Sequence, residues 1–263
     1  MIGRSLQQTI EQKLGTNKAI ILLGARQTGK TTLLKMIDEN LDKALWINAD
    51  EPDIQALFEN ATSTRLKAAM SGYDIVILDE AQRIKDIGLK LKLITDQVSE
   101  IQIIVTGSSA FDLANQTNEP LTGRKWEFQL FPLSFQEMVE HTSEIEETRL
   151  LQQRLIYGSY PEIITSAGNE KELLKQLSDS YLYKDILMWE NLKKPEKLLK
   201  LMQAIAFQLG SEVSSNELGK TIGLDKNTVE RYIQLLEKTF VIFRLGAFSR
   251  NLRKELKPSR KTY

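Results

Sequence analysis

The sequence predicts an α/β fold in which a parallel sheet is flanked by helices, followed by an α-helical region and a winged helix-turn-helix-like segment. Three observations predict it. Five short apolar runs alternate with helical periodicity between Lys18 and Leu130, strand patterns stop after Leu150, and a short helix, a tight turn and a second amphipathic helix follow from Ser214. With 263 residues, 41% hydrophobic and 27% charged, the chain is large enough and apolar enough to bury a full core.

The runs are AIILL, ALWIN, IVILD, IQIIV and WEFQL. They are rich in Ile, Val and Leu and lack the polar alternation of a half-exposed strand, so both faces are expected to be covered. Between them, helices are expected over Thr31–Asn40, Asp53–Met70, Asp86–Val98 and, shorter, Ser109–Asn115. The pattern is interrupted at Pro132, and Glu137, Glu140, Glu144, Glu146 and Glu147 then accumulate with no Lys or Arg among them. That run reads as a solvated helix face at a domain border. His141 within it is the only histidine, too few ligands for a metal site.

Apolar periodicity continues through Leu173–Leu187 and Leu198–Leu209. Ser214 followed by Glu217 fits a capping box, Gly223 suits a turn, and Asp225 suits the cap of a second helix carrying Val229, Ile233, Leu236 and Phe240 on one face. The strand-like FVIFRL completes the winged pattern.

Gly24–Thr31 reads GARQTGKT, a full match to the phosphate-binding Walker A loop, set between the strand AIILL and the helix beginning TTLLKMI. The candidate cofactor-binding residues are Gly24, Ala25, Arg26, Gln27, Thr28, Gly29, Lys30, Thr31 and Thr32. The glycines let successive N–H groups turn toward phosphate oxygens at a helix N-terminus. Lys30 is expected to reach the β and γ phosphates, and the Thr31 hydroxyl to hold Mg²⁺.

IVILDEAQ ends an apolar strand, expected beside the first, on Asp79 and Glu80, the Walker B pattern. Asp79 is expected to hold the magnesium and Glu80 to orient and deprotonate the attacking water. Two readings stand for Ser108, in IQIIVTGSS: a contact to the γ phosphate or lytic water, a role open also to Thr106, or an ordinary helix cap. Two stand for Arg124 as well: a finger on the transferring phosphoryl group, worth roughly 10³ to 10⁵ in rate, or a surface salt bridge.

Lys plus Arg equals Asp plus Glu at 35 each, so no global field draws the chain to nucleic acid or an anionic membrane. The absence of cysteine removes disulfides and thiolate chemistry and fits a cytoplasmic protein. The longest charge-free stretches, Ile101–Phe111 and Leu201–Ser211, are 11 residues each, short of the roughly 20 a membrane span needs. The N-terminus lacks the continuous apolar core of a secretory signal. No membrane partner is expected.

GARQTGKTTLL, ILDEAQRI, IVTGSSAFDLA and LTGRKWEFQLFPLSFQE resemble the archaeal and bacterial AAA-type P-loop ATPases that carry a domain of unknown function 4143, and the likeness continues through YGSYPEII. The resemblance implies a strand order of 5-1-4-3-2, Lys30 and Thr31 as phosphate and magnesium ligands, Asp79 and Glu80 as the acidic pair, and Arg124 as the finger. The break at Pro132 and the loss of strand patterns divide the chain into an ATPase core over 1–140, a helical lid or linker over 141–195 and a winged-helix-like domain with a basic tail over 196–263. Members of that family usually continue into a nuclease-like C-terminal domain. This chain stops at Tyr263, so a truncated form or a fragment is expected and nuclease activity is not carried over.

The expected activity is Mg²⁺-dependent ATP hydrolysis coupled to a conformational change. The alternatives are a nucleotide-gated switch with little turnover, or a DNA-binding module. For DNA, Phe248–Tyr263 carries Arg250, Arg253, Lys254, Lys257, Arg260 and Lys261 against Glu255, and Lys226, Asn227, Thr228 and Arg231 open the second helix. Winged helices in AAA-type relatives also serve as lids or subunit contacts. A homo-oligomer follows if Arg124 acts across a subunit boundary.

Overall fold

The structure, a computed structural model, describes residues 1–107, 115–181, 195–245 and 261–262. The chain divides into two compact units, Met1–Leu177 and Ser178–Tyr263. In the first, Ala19–Leu23 (β1), Ala44–Asn48 (β2), Ile75–Asp79 (β3), Gln102–Gly107 (β4) and Lys125–Gln129 (β5) form a sheet of order β2-β3-β4-β1-β5, with every neighbouring pair parallel. This is the order implied by the resemblance. The direct reading that set β3 beside β1 is corrected, because β4 lies between them.

Every residue of β1 and β4 is buried, as fits strands covered on both faces. β2 and β5 depart from the expectation of full burial and are only partly covered, because each is an edge strand with one neighbour. The β5 edge is shielded in part by Lys13 and Lys18, whose ammonium groups stand 4.5 and 4.6 Å from the Trp126 ring centroid.

Leu6–Glu11 (α1) and Lys30–Asp38 (α2) supply Ile10, Leu33, Leu34 and Ile37 to one core cluster with Ile20, Leu22, Ile77 and Ile104 of the sheet. The helix expected over 53–70 is two, Pro52–Glu59 (α3) and Ser63–Ala69 (α4). Thr62 takes an extended conformation between them, and its hydroxyl accepts the Arg65 N–H, so a new helix is capped there. Ile87–Gln97 (α5) packs against β4, burying Ile87, Leu91 and Ile94. The expected 109–115 helix lies mostly outside the described residues; a short helix, Asn115–Asn118 (α6), begins where it ends.

Beyond the sheet come Phe135–His141 (α7), Glu144–Tyr157 (α8), Pro161–Thr165 (α9) and Glu170–Tyr181 (α10). The acidic run is not a uniformly solvated face. Glu137 is paired with Arg4 and Glu147 with Arg154, and both carboxylates are buried. Glu140, Glu144 and Glu146 are not among the buried residues.

In the second unit, Pro195–Ala206 (α11), Ser215–Ile222 (α12) and Lys226–Lys238 (α13) follow in order. Ser214 accepts the Glu217 N–H, one half of the expected capping box, Asp225 accepts the Thr228 N–H as expected, and Gly223 ends α12 in the left-handed conformation. Val229, Ile233 and Leu236 are buried, with Tyr232 and Leu235 beside them, while Phe240 is only partly covered. Of FVIFRL only Arg244–Leu245 (β6) is a strand, paired antiparallel with Lys261–Thr262 (β7). Ser108 and the basic residues from Arg250 to Arg260 lie outside the described residues. Among the described residues no helix is long and apolar enough to cross a membrane.

Candidate functional site

The loop Gly24–Gly29 joins the C-terminal end of β1 to the N-terminus of α2, and α2 begins at Lys30. The backbone here comes so close to its neighbour that a Cβ on Gly24 would stand 2.4 Å from the Leu130 carbonyl oxygen. Gly29 caps α2 at φ 91°, a conformation side chains rarely adopt, and Gln27 is also left-handed at φ 60°. Thr28 is fully buried and its hydroxyl donates to the Ala25 carbonyl at 2.8 Å. The loop is thereby held as a tight curl.

Gly24→Ala is expected to lower stability by about 1–3 kcal/mol, the usual cost of overpacking, because the Leu130 strand end cannot recede without losing its N–H bond to Leu23 O at 2.7 Å. Urea unfolding of parent and variant measures it. Equal midpoints would show that the loop relaxes freely.

Lys30 is 6% exposed, and its Nζ donates to the carbonyls of Gly24 and Ala25 at 2.8 Å each. In the next position of the helix, Thr31 Oγ1 donates to Asp79 Oδ2 at 2.9 Å, tying α2 to the end of β3. The other carboxylate oxygen of Asp79 accepts the Thr106 hydroxyl from β4, the strand that separates β1 from β3. Thr106 in turn accepts the Glu80 N–H at 3.1 Å.

Glu80 sits at φ 55° and ψ 38° as the cap of a short 3-10 turn over Ala81–Arg83. A left-handed glutamate costs roughly 1–3 kcal/mol and persists only where its surroundings fix it. Here the fixing groups are Thr106 and Asp79, which both accept its N–H, and Gln82, whose amide donates to its carboxylate.

Strand ends at the carboxyl edge of a parallel sheet are where ligands bind in α/β folds, and this edge collects a buried ammonium, two hydroxyls and two carboxylates around a curled loop. Residues 16–139 match the AAA_14 family, described as an AAA domain. Over that segment the chain is similar to AAA domains.

Behind it, residues 148–263 match a domain of unknown function (DUF8612), a different number from the one the resemblance names. The chain is 24% identical to an uncharacterised protein of Methanocaldococcus jannaschii, over 94% of this chain and 60% of that protein. It is 26% identical to one of Haemophilus influenzae, over 93% and 66%. The chain thus spans less than two thirds of the length of these curated relatives. Among solved structures, the Walker-type ATPase PABY2304 of Pyrococcus abyssi superposes with a TM-score of 0.64, covering 92% of this chain and 91% of that one at 17% identity, a likeness of fold.

Within the first unit the structure brings Gly24 to Thr32, Asp79, Glu80 and Thr106 to one edge of the sheet. It does not bring Arg124 there. Arg124 directly precedes β5, its carbonyl accepts the Ala19 N–H, and β1 runs from Ala19 away toward the loop, so a strand of roughly 16 Å separates them. Its Nε is bonded to Asp96 at 2.6 Å, and the side chain is 45% exposed.

Sequence reasoning missed Arg4 and Glu137. Arg4 donates to the Thr28 carbonyl and to Phe131 O, and pairs with Glu137. Burial alone would push the Glu137 carboxyl up; the Ser134 and Ser5 N–H groups and the Arg4 guanidinium outweigh it and hold the group below the usual carboxylate range. The signal for Glu137 was present, since Ser134 and Glu137 have capping-box spacing and form that box. Arg4 carried no signal, because nothing in its sequence neighbourhood specifies a partner 24 residues away.

Proposed function

We propose that the chain binds ATP with Mg²⁺ at the carboxyl edge of its sheet and hydrolyses it. The observation that carries this reading is the chain of contacts Thr31–Asp79–Thr106–Glu80, which joins the phosphate loop to an acidic pair across three elements. The residues fit the group. The curl at Gly24 and Gly29 suits a backbone that turns N–H groups toward phosphate oxygens, Lys30 supplies a buried positive charge, and Thr31 with Asp79 supplies the oxygen ligands that magnesium takes. Magnesium, when bound, neutralises charge on the phosphate oxygens. Glu80 orients and deprotonates the water, and its backbone is held by Thr106, so Thr106 acts on the site through the Asp79 carboxylate and the Glu80 N–H.

The reading is tested by calorimetry with MgATP and by phosphate release. Lys30→Ala is expected to weaken nucleotide binding by roughly 2–5 kcal/mol, on the order of 30- to 3,000-fold, the range for losing one partner of a buried charged contact. No binding heat with the folded parent overturns the reading. Binding without measurable turnover leaves a nucleotide-gated switch, which acts by differential affinity between states.

A second reading concerns the Ser178–Tyr263 unit as a winged helix-turn-helix that binds duplex DNA. What favours it is the exposed face of α13, where Asn227, Arg231, Gln234 and Lys238 recur at helical spacing. These residue types reach base edges and phosphates in a major groove. The acids of α13 point into other contacts: Glu230 accepts from Ser215 and Glu237 from Arg244. Duplex affinity is expected to fall steeply with salt, and Arg231→Ala to reduce the slope by about one. A fluorescence-anisotropy salt titration checks this, and absent or salt-independent binding removes it.

A further inference from the structure

We infer that Arg4 is a positioning residue for the phosphate loop: by holding the Thr28 carbonyl, it turns the Gly29 N–H toward the phosphate chain of a bound nucleotide. The inference rests on the nucleotide reading above.

Arg4 is 9% exposed, and its guanidinium reaches three separate stretches of chain. Nη1 donates to Thr28 O at 2.7 Å, Nη2 to Phe131 O at 2.6 Å and Nε to Glu137 Oε1 at 3.2 Å. A planar guanidinium fixes these three directions together, which an ammonium does not. The Thr28–Gly29 peptide is trans, as no peptide bond among the described residues is cis, so its carbonyl and N–H point to opposite sides. With the carbonyl held on the Arg4 side, the Gly29 N–H is directed away from Arg4, and the same peptide leads into α2 and Lys30. Its orientation therefore depends on a residue outside the loop.

The charge of Arg4 is satisfied within the scaffold. Glu137 Oε1 accepts Arg4 together with the N–H and hydroxyl of Ser5, and Oε2 accepts the Ser134 N–H at 2.8 Å. A buried cation is tolerated only when so paired. Arg4 thus contributes direction to the loop, and the phosphate-facing charge comes from Lys30.

The test compares parent, Arg4→Lys and Glu137→Gln. A bond made equally in ground and transition states changes KM and leaves kcat alone. Arg4→Lys is expected to raise KM for MgATP, and the Kd for MgADP, about tenfold with kcat within about twofold, as for loss of one charged hydrogen bond. Glu137→Gln is expected to lower the thermal midpoint while KM stays at the parent value. Because Arg4→Lys can fail to fold, the parent supplies an independent readout: in ¹⁵N-labelled protein the Gly29 amide proton should move downfield on adding MgADP. Parent-like KM in Arg4→Lys, an equal KM rise in Glu137→Gln, or a Gly29 amide that stays put while its neighbours shift would each overturn the inference. A parent that binds no nucleotide overturns the nucleotide reading itself, whereas a parent that binds with Arg4→Lys unchanged overturns this inference alone.

Discussion

Glu80→Gln is expected to lower ATP turnover roughly 10²- to 10⁴-fold while MgATP still binds, the usual worth of a general base. The substitution is nearly isosteric. It removes the proton-accepting charge but leaves the backbone bonds from Glu80 N–H to Thr106 and Asp79 that hold the left-handed turn, so the fold should not be disturbed. Steady-state phosphate release beside calorimetry separates the two effects. Equal turnover in parent and variant would remove Glu80 from the reaction, and lost binding would make its role one of loop structure instead.

Arg124→Ala is expected to lower turnover by roughly 10³ to 10⁵ if the residue serves as a finger. The geometry makes that role conditional on assembly. Within one chain Arg124 lies at the amino edge of the sheet, a strand length from its own phosphate loop, so it can reach only the nucleotide of a neighbouring copy. Parent specific activity should then rise with protein concentration, while the variant stays low throughout. Mixing the variant with Lys30→Ala should restore part of the activity, because each supplies what the other lacks. A concentration-independent rate, together with an Arg124→Ala variant as active as the parent, would leave Arg124 as the partner of Asp96 that the structure draws. That contact is exposed and worth about 0–1 kcal/mol.

Most of the sheet was legible because buried parallel strands must be apolar on both faces, and AIILL and IVILD satisfy that with little ambiguity. The edge strands ALWIN and WEFQL were found for the same reason, although their partial exposure was not foreseen. A run of five residues does not state how many neighbours it will have. The 53–70 segment was misread as one helix because apolar periodicity continues on both sides of the break. The cap at Thr62 is a local choice of backbone that periodicity does not encode.

The acidic run shows the same limit for charge. Glu137 and Glu147 look like their solvated neighbours in sequence, and only the approach of Arg4 and Arg154 buries them. Thr106 was weighed as a phosphate contact, yet it is bonded to Asp79 and Glu80. That arrangement requires β4 to lie beside β3.

By itself, the sequence determined the phosphate loop, the acidic pair at the end of an apolar strand, and the alternation that makes a parallel sheet. Each is a local pattern dictated by what the backbone and adjacent side chains can do within a few residues. Tertiary structure alone decided that Arg4 grips the loop and that Arg124 lies a strand length from it. Those depend on contacts between residues far apart in the chain, whose free energy is set by the packing of the whole sheet and is written in no single segment.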